Sequence, residues 1–443
     1  MDERIYTVAP DVRVLENDGQ HVLVNPDNLE WIKLNDDAYR LAENPQGRTL
    51  GELVARECAE RQADPEEMRA LFDYLLEARL IVEAGQAARL VRVHFNVTDR
   101  CNLACPACYF AAGDRGGTDP LATGEALAVL DALAAGRPRS LVISGGEPFL
   151  REDIAEMLAF AGRRFDDVVI LTNGCLIGER EALHVRDCGA RVQVSVESAD
   201  PLVHDSIRGR GSFIAAVNGI RMLVAAGIEH VEIVPTLTRR NLAHVPGVVR
   251  LANDLGVGYH FSLFMPVGRG ACHAAGLSVP PEDLLMCLAS LLRGTFEGSD
   301  GAWGGETRSD SPVDLCAKRG CGAGYDIISV GPDGSVYPCP LMHRPDMLLG
   351  WLPGDSLSRI RRRGKNVVPD VTRLQACFRC EVAHFCGGGC RAHALAQGGS
   401  VLSPDPYCEF YRAAYRAALW GWREDRPVEE NARALVAALE SGL

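Results

Sequence analysis

The stretch Val97-Thr98-Asp99-Arg100-Cys101-Asn102-Leu103-Ala104-Cys105-Pro106-Ala107-Cys108 decides how this chain is read. It follows an apolar run, Val91–Val97, that reads as a buried strand. Three thiolates within eight residues can wrap one iron–sulfur cubane and leave its fourth iron without a protein ligand. The same three could equally form part of a zinc site, and spacing alone leaves both open.

Outward from this stretch, residues 90–265 alternate strand and helix. Apolar strands are expected at Val91–Val97, Ser140–Ile143, Val168–Leu171, Arg191–Val196, His230–Pro235 and Tyr259–Phe264. Helices are expected at Gly124–Ala135, Ile154–Arg164, Ser212–Ala226 and Leu242–Leu255, among others. Six β/α repeats imply parallel strands joined by crossover helices, with chemistry at the carboxyl ends of the strands. Three short motifs fall at such ends. Ser144-Gly145-Gly146-Glu147-Pro148 closes the second strand, Leu171-Thr172-Asn173-Gly174 the third, and Ser195-Val196-Glu197-Ser198 the fourth.

The flanks read as separate units. Residues 1–88 begin with three β-like runs, Val12–Leu15, His21–Asn25 and Trp31–Leu34, followed by helical stretches near Asp36–Ala42, Leu50–Glu60 and Pro65–Ala78. The last starts with Asp64 as N-cap, Pro65 at the first position and Glu67 closing a capping box, with Met68, Leu71, Leu75 and Leu76 on one face. Residues 89–311 hold the β/α core and a Gly-rich linker or lid, Gly294–Ser311, after one helix at Pro281–Leu292. Residues 312–410 are dense in cysteine and glycine, which predicts too few apolar side chains for a core and a need for metal. An amphipathic helix is expected within 411–443.

With 443 residues and a net charge of −13, the chain offers no general basic surface for nucleic acid. The basic run Arg359–Lys365 reads as a solvated face. No apolar run has the length of a membrane span, and the N-terminus lacks a signal-peptide layout, so the expected location is the cytoplasm. Sixteen cysteines in such a chain point to metal rather than disulfides.

The C-x3-C-x2-C pattern of Cys101, Cys105 and Cys108 after a first strand resembles the radical S-adenosylmethionine (SAM) superfamily. The resemblance implies a partial (β/α)6 TIM-type barrel. It also implies a [4Fe-4S] cluster on these three cysteines, to whose open iron SAM binds and is cleaved to a hydrogen-abstracting 5′-deoxyadenosyl radical. Gly145, Gly146, Glu147 and Pro148 resemble the family's GGEP motif. The glycines would let backbone approach the methionine moiety, and Glu147 would receive its ammonium. Asn173 falls at the next strand end, and Ser195 with Glu197 resembles a ribose-contacting S-x-D element with Glu for Asp. Ala107 stands where the family commonly has an aromatic residue near the adenine.

The C-terminal third carries Cys316, Cys321, Cys339, Cys377, Cys380, Cys386, Cys390 and Cys408. Eight cysteines match eight ligands for two fully coordinated cubanes, with structural zinc as the alternative. This pattern resembles the SPASM domain. The resemblance implies a first auxiliary [4Fe-4S] cluster on Cys316, Cys321, Cys339 and Cys390, and a second on Cys377, Cys380, Cys386 and Cys408. Cys58, Cys175, Cys188, Cys272 and Cys287 are left as buried free thiols, Cys272 being a candidate to line the site. His384 and His393 are expected to pack or bond locally rather than ligate metal.

Residues 1–88 resemble the RiPP recognition element, a winged-helix-like α+β module that binds a precursor leader as an added strand. The resemblances together imply a maturase that oxidises a ribosomally made precursor peptide, forming a thioether or carbon–carbon crosslink, with flavodoxin or ferredoxin as electron donor. Mycofactocin-type oxidative decarboxylation is an alternative, as is formylglycine formation by a sulfatase-maturase-like enzyme. The latter is disfavoured by Pro340, which follows Cys339 where Asp is usual. A non-catalytic redox scaffold is the reading from outside enzymology. No Asp, Glu or Tyr stands out as a general base.

Overall fold

A computed structural model describes residues 7–8, 13–17, 20–25, 30–35, 39, 52, 55, 58–59, 64–78, 80–82, 91–113, 119–297, 318–365, 367–423 and 426–441. The expected helices at 36–42 and 50–60, most of the linker at 294–311, and Cys316 lie largely or wholly outside these residues.

At the N-terminal end, β1 (Arg13–Asn17), β2 (Gln20–Asn25) and β3 (Glu30–Asn35) form an antiparallel sheet, on the three runs the sequence marks. Helix α1 (Pro65–Glu77) starts where expected, and Asp64 accepts a hydrogen bond from the Glu66 amide at 2.7 Å. Its face carrying Met68, Phe72 and Leu75 buries against Leu23 and Leu34.

The centre is a parallel sheet. Strands β4 (Arg92–Asn96), β5 (Ser140–Ser144), β6 (Val168–Thr172), β7 (Arg191–Val194), β8 (Val231–Ile233) and β9 (Gly258–Tyr259) lie side by side in chain order. Their β-branched residues suit a sheet buried on both faces. Helices α2 (Thr123–Ala135), α3 (Ile154–Arg164), α4 (Glu179–Cys188), α5 (Pro201–Arg208), α6 (Ser212–Ala225) and α7 (Val245–Leu255) fill the crossovers. The expected strand 259–264 splits: Gly258–Tyr259 stays in the sheet, while Ser262–Leu263 pairs with Thr236–Leu237. Pro235, which has no N–H to donate, ends β8 at that point.

The cysteine-rich segment departs from expectation. Strand β10 (Ile327–Val330) pairs parallel with β4, and β11 (Ser335–Tyr337) and β12 (Gly350–Trp351) follow antiparallel, widening the sheet to nine strands. Ile328, Val330, Val336, Leu349 and Ile360 join the same core as Val93, Phe95, Ile143 and Ile170. Each such buried aliphatic stabilises by about 1.5–3 kcal/mol, so residues 327–360 do carry a core. These apolar positions are too few per run to stand out beside the cysteines.

Residues 369–410 also bury apolar side chains, Val382 and Phe385 in one small cluster, Tyr407 in a second and Ala392 in a third, none of them part of that central core. Helix α8 (Pro281–Glu297) packs with the two C-terminal helices, α9 (Cys408–Gly421) and α10 (Val428–Ser441), through Leu285, Ala289, Ala414, Ala417, Leu435 and Leu439. The N-terminal sheet docks on the cysteine-rich region. Val22 and Val24 pack on Val382, Phe385 and Leu419, with the rings of Trp31 and Phe385 edge-on at 5.5 Å. No single helix among the described residues is long and apolar enough to cross a membrane.

Candidate active site

The cysteine loop leaves β4 and is fastened to its neighbours by backbone. The Val97 amide donates to Ser144 (2.9 Å), Gly146 to Thr98 (2.8 Å), Glu147 to Arg100 (2.9 Å), and Cys101 to Gly113 (2.9 Å). These contacts explain the glycines of the second strand end. A side chain on Gly146 would collide with the Arg100 carbonyl, and one on Gly145, whose φ is +131°, with the Thr98 carbonyl. Arg151, buried, donates to the Val97 carbonyl at 2.8 Å and forks onto Asp153.

Cys101, Cys105 and Cys108 open into one cavity of about 210 Å3 at the carboxyl ends of β4–β8, whose wall also holds Gly145, Gly146, Asn173, Ser195 and Glu197. Three strand ends expected to converge therefore do so. Ala107 lines the same cavity, leaving room where an aromatic residue would stand. The Asn173 side-chain amide donates to Asn102 at 2.8 Å, tying the third strand end to the cysteine loop. Burial pushes the Cys101 thiol up to about 11 and raises Cys105 as well. Buried thiols held neutral in this way need an added positive charge to ionise as ligands.

Two expected contacts look different in detail. Glu147 and Pro148 are buried behind the cavity wall. The Glu147 carboxylate accepts from Thr172 Oγ1 (2.8 Å) and from the Asn173 (2.8 Å) and Phe149 (3.2 Å) amides. Burial holds its pKa up at about 7. Glu197 is likewise engaged: Oε1 accepts from Arg208 at 2.7 Å and Oε2 from the Thr236 amide at 2.9 Å. Both carboxylates thus brace the strand ends, Glu147 from behind the wall and Glu197 as part of it.

Sequence reading missed three side chains here. Arg208, at the end of α5, lines the cavity beside Cys105 and pairs with Glu197. Tyr109 also lines it, bonded to the Ser144 side chain and within electrostatic reach of both Cys108 and Cys339. Arg269 reaches across from beyond β9: its Nη1 donates to the Cys105 carbonyl at 3.0 Å, its Nη2 to the Ala112 carbonyl, and its amide to the Cys108 carbonyl at 3.0 Å. A lone arginine far along the chain carries no spacing signal. Only the Gly268 kink before it (φ +59°), packed on the Tyr109 carbonyl, hints at a close approach.

Seven of the remaining cysteines form two further groups. Cys377, Cys380, Cys386 and Cys408 line one small cavity with Gly388, Gly389 and Arg391. Cys321, Cys339 and Cys390 lie together in an apolar pocket with Ala323, Met342 and Ala392. Burial lifts Cys390 to about 12 and Cys339 well above its ordinary value, with the neighbouring thiols adding to both. Among the described residues, no three His, Cys, Asp or Glu side chains converge tightly enough for a single metal ion. His393 is bonded to Asp405 at 3.0 Å, and His384 contacts the Lys318 carbonyl, so both act locally as expected. Cys272 is exposed and outside the cavity, contrary to expectation, because its turn of 310 helix faces outward. Cys188 is buried, and Cys58, Cys175 and Cys287 are partly so. The basic run forms a helix, Leu357–Gly364, with Arg359 and Arg363 paired to Asp355.

This arrangement is that of a radical SAM enzyme: a parallel β/α sheet with three thiols, two glycines and the next strand ends around one cavity. Residues 95–252 match the radical SAM superfamily. The chain is 31% identical over 324 residues to the mycofactocin maturase MftC of Mycobacterium tuberculosis, covering 71% of this chain and 81% of that one. It is 27% identical to an AdoMet-dependent heme synthase of Oleidesulfovibrio alaskensis, over 75% and 90% of the two chains. Among solved structures, anSMEcpe with bound AdoMet and a Cp18Cys peptide superposes with a TM-score of 0.60 at 18% identity, covering 79% and 99%. Streptococcus suis SuiB bound to precursor peptide SuiA gives 0.56 at 14%, covering 90% and 98%. The chain belongs to the radical SAM superfamily, within the branch of peptide-modifying maturases, and is an enzyme that uses SAM with an iron–sulfur cluster.

Proposed function

We propose that this enzyme oxidises a ribosomally made precursor peptide, closing a thioether or carbon–carbon crosslink. The observation that carries the reading is the shared cavity of Cys101, Cys105 and Cys108 in a chain 31% identical to a maturase. These three thiols hold the cluster that binds SAM. When bound, SAM and its cluster supply reductive cleavage of SAM and, through it, hydrogen-atom abstraction. Gly145 and Gly146 offer bare backbone to the methionine end of SAM, and Ser195 presents a hydroxyl towards the ribose. Glu147, Pro148, Asn173 and Glu197 keep the strand ends in register around it. Arg208, a guanidinium lining the same cavity, would meet the SAM carboxylate charge to charge.

Cys316, Cys321, Cys339 and Cys390 hold a first auxiliary [4Fe-4S] cluster, and Cys377, Cys380, Cys386 and Cys408 a second, three clusters in all. In support, the structure brings the last four together, and the first set except Cys316, which lies outside the described residues. Their thiols line a cavity rather than converge on one point, as a multi-iron cluster requires. Residues 1–88 take up the leader. Strands β1 and β3 end the N-terminal sheet with no further strand beside them among the described residues, and an exposed edge is what strand addition needs.

The similarity to a mycofactocin maturase favours a second reading, oxidative decarboxylation of a peptide C-terminus. Anaerobic co-expression with the precursor encoded nearby, followed by accurate mass, separates the two. Loss of two hydrogens that requires Cys101, Cys105 and Cys108 supports crosslinking. Loss of carbon dioxide supports decarboxylation, and an unchanged mass defeats both.

A further inference from the structure

Arg391 is buried, 2% exposed, on the wall of the cavity shared by Cys377, Cys380, Cys386 and Cys408. Its Nη1 donates to the Val401 (3.0 Å) and Ser403 (2.8 Å) carbonyls, and its Nη2 to that of Gly388. A Cβ built on Gly388 would lie 3.8 Å from Cys377 Sγ, so these bonds hold the guanidinium in the surroundings of that sulfur. Burial raises the Cys377 thiol, and the Arg391 charge pulls it back. Two needs of this side chain stay unmet. Among the described residues it forms no ion pair, and its buried Nε–H has no acceptor. A buried cation without a counter-charge and a buried donor without an acceptor are each costly. The other charges on the wall supply neither. Asp405 is buried as well, but its Oδ1 is bonded to His393 (3.0 Å) and the Tyr407 amide (2.7 Å), and its Oδ2 to the Cys390 amide. Arg412 is exposed and carries the same sign. The Cys321, Cys339 and Cys390 group meets Arg391 chiefly through backbone: the Arg391 amide donates to the Cys321 thiol, with its charge a lesser influence.

We propose that Arg391 sets the redox potential of the cluster held by Cys377, Cys380, Cys386 and Cys408, its Nε–H donating to a sulfur and its charge offsetting the electron taken up. The inference rests on the reading that these four thiols hold a [4Fe-4S] cluster. Four thiolates around such a core make a net anion, which is at once the missing counter-charge and the missing acceptor. In the step it serves, one electron leaves the peptide radical and enters the cluster, as electron transfer alone, and Arg391 stays protonated throughout. The negative charge of the site grows by one. A fixed buried cation and an N–H···S bond stabilise that more negative, reduced form and so raise the potential. A raised potential favours this set as the place where the electron released by peptide oxidation comes to rest.

The test uses the full chain bearing Cys101→Ala/Cys105→Ala/Cys108→Ala, reconstituted with iron and sulfide under anaerobic conditions. Only the C-terminal cysteine groups then contribute to a dithionite titration followed by electron paramagnetic resonance. The wave that Cys408→Ser displaces or removes belongs to the set beside Arg391. Arg391→Gln should lower its reduced-to-oxidised ratio at a given potential tenfold or more, about 59 mV for a one-electron couple, while the other wave moves less. Arg391→Lys, which restores the charge without the fork, should recover most of that shift. Iron per chain, read alongside, separates tuning from mere support. A staple for the Gly388, Val401 and Ser403 carbonyls would cost iron and leave the potential of the surviving clusters where it was, and that result overturns the proposal. Should Arg391→Gln hold no iron at all, the measurement moves to protein that keeps Arg391. Grown with arginine isotope-labelled at Nε, and with Arg412→Lys to remove the neighbouring label, it should show nitrogen coupling to the reduced cluster in pulsed spectra. Absence of that coupling overturns the proposal too. Cys408→Ser with every wave in place and iron undiminished defeats the cluster reading itself, whereas a displaced wave that ignores Arg391→Gln defeats only the role given to Arg391.

Discussion

The cysteines around the central cavity and those of the C-terminal third share a chemistry but are held in opposite ways. Cys101, Cys105 and Cys108 ride on a loop pinned by three backbone hydrogen bonds to the end of β5, whose core is aliphatic, and by a fourth within the loop. Cys377 and Cys386 ride on short helical turns and Cys408 opens α9, in a region whose buried apolar residues, Val382, Phe385 and Tyr407 among them, fall in small clusters apart from that core. Seven glycines between Ala323 and Gly399 have positive φ, four of them within 387–399. Such backbone costs conformational entropy on folding, and only small separate clusters offset it there. The first set is therefore a site built on a fold, and the second, on the function proposed above, is a fold that waits for its site.

The largest expected effect follows directly. Removing iron by chelation, or substituting Cys380→Ala/Cys408→Ala, should unfold residues around 370–410 and release the N-terminal sheet that packs on Val382 and Phe385. Cys101→Ala/Cys105→Ala/Cys108→Ala should abolish SAM cleavage and leave the fold intact. Hydrogen exchange on the two variants, read segment by segment, checks both halves. Equal protection of 370–410 in both would erase the distinction.

Next in size is Arg269. Its guanidinium holds the Cys105 and Ala112 carbonyls, so Arg269→Ala, which keeps the backbone bond to Cys108, leaves those two unpaired inside the barrel mouth at a cost of about 1–3 kcal/mol. The cysteine loop should loosen, with iron per chain falling by up to one cluster's worth and SAM cleavage falling at least tenfold. Arg269→Lys should restore part of the iron, having one donor head where the fork had two. Full iron in Arg269→Ala would mean that the backbone bonds to Gly113 and Ser144 suffice.

How far the sequence revealed all this divides along the same line. The six parallel strands were legible because β-branched runs buried on both faces look alike wherever they occur, and strand ends carry the motifs. The cysteine groups were legible by resemblance alone. The added hairpin at 327–337 was hidden, since runs of three or four residues between cysteines have no period to read. Arg208 and Arg269 were hidden because they act through tertiary approach rather than spacing. Glu147 was read as a ligand contact, while the structure turns its carboxylate to Thr172 and Asn173, which only the strand register decides.

The sheet core should also set the response to acid. Burial lowers His204 and His343 to about 4, and His94 to about 3. His204 Nδ1 accepts from the Glu197 amide at 3.1 Å, which requires the neutral ring. Each folded value lies below the ordinary 6.5, so on acidification the unfolded chain takes up protons first. Stability from these groups is intact above pH 6.5 and is lost as pH falls from 6.5 towards 4, by up to about 1.4 kcal/mol per pH unit for each group. His204→Asn, whose carbonyl can still accept from Glu197, should flatten part of that slope in denaturant titrations between pH 7 and 5. An unchanged slope would show that His204 does not take part.

The smallest effect joins the two regions. Lys33, on β3, donates to the Leu419 and Trp422 carbonyls at 3.0 and 2.9 Å, closing the C-terminal end of α9, and its ammonium lies 5.9 Å from the Trp420 ring. A cation on the last carbonyls of a helix is worth about 0.5–2 kcal/mol. Lys33→Met should lower the unfolding free energy of the iron-loaded protein by that amount. The helix it caps begins at Cys408, so its position depends on the second thiol set. In iron-free protein, where the region around 370–410 is expected to be unfolded, the same substitution should cost nothing measurable. A cycle of four measurements, with and without iron and with Lys or Met at position 33, isolates the coupling. An equal loss in both forms would mean that β3 and α9 stay docked without metal, and the contrast between the two cysteine regions would then stop short of the N-terminal sheet.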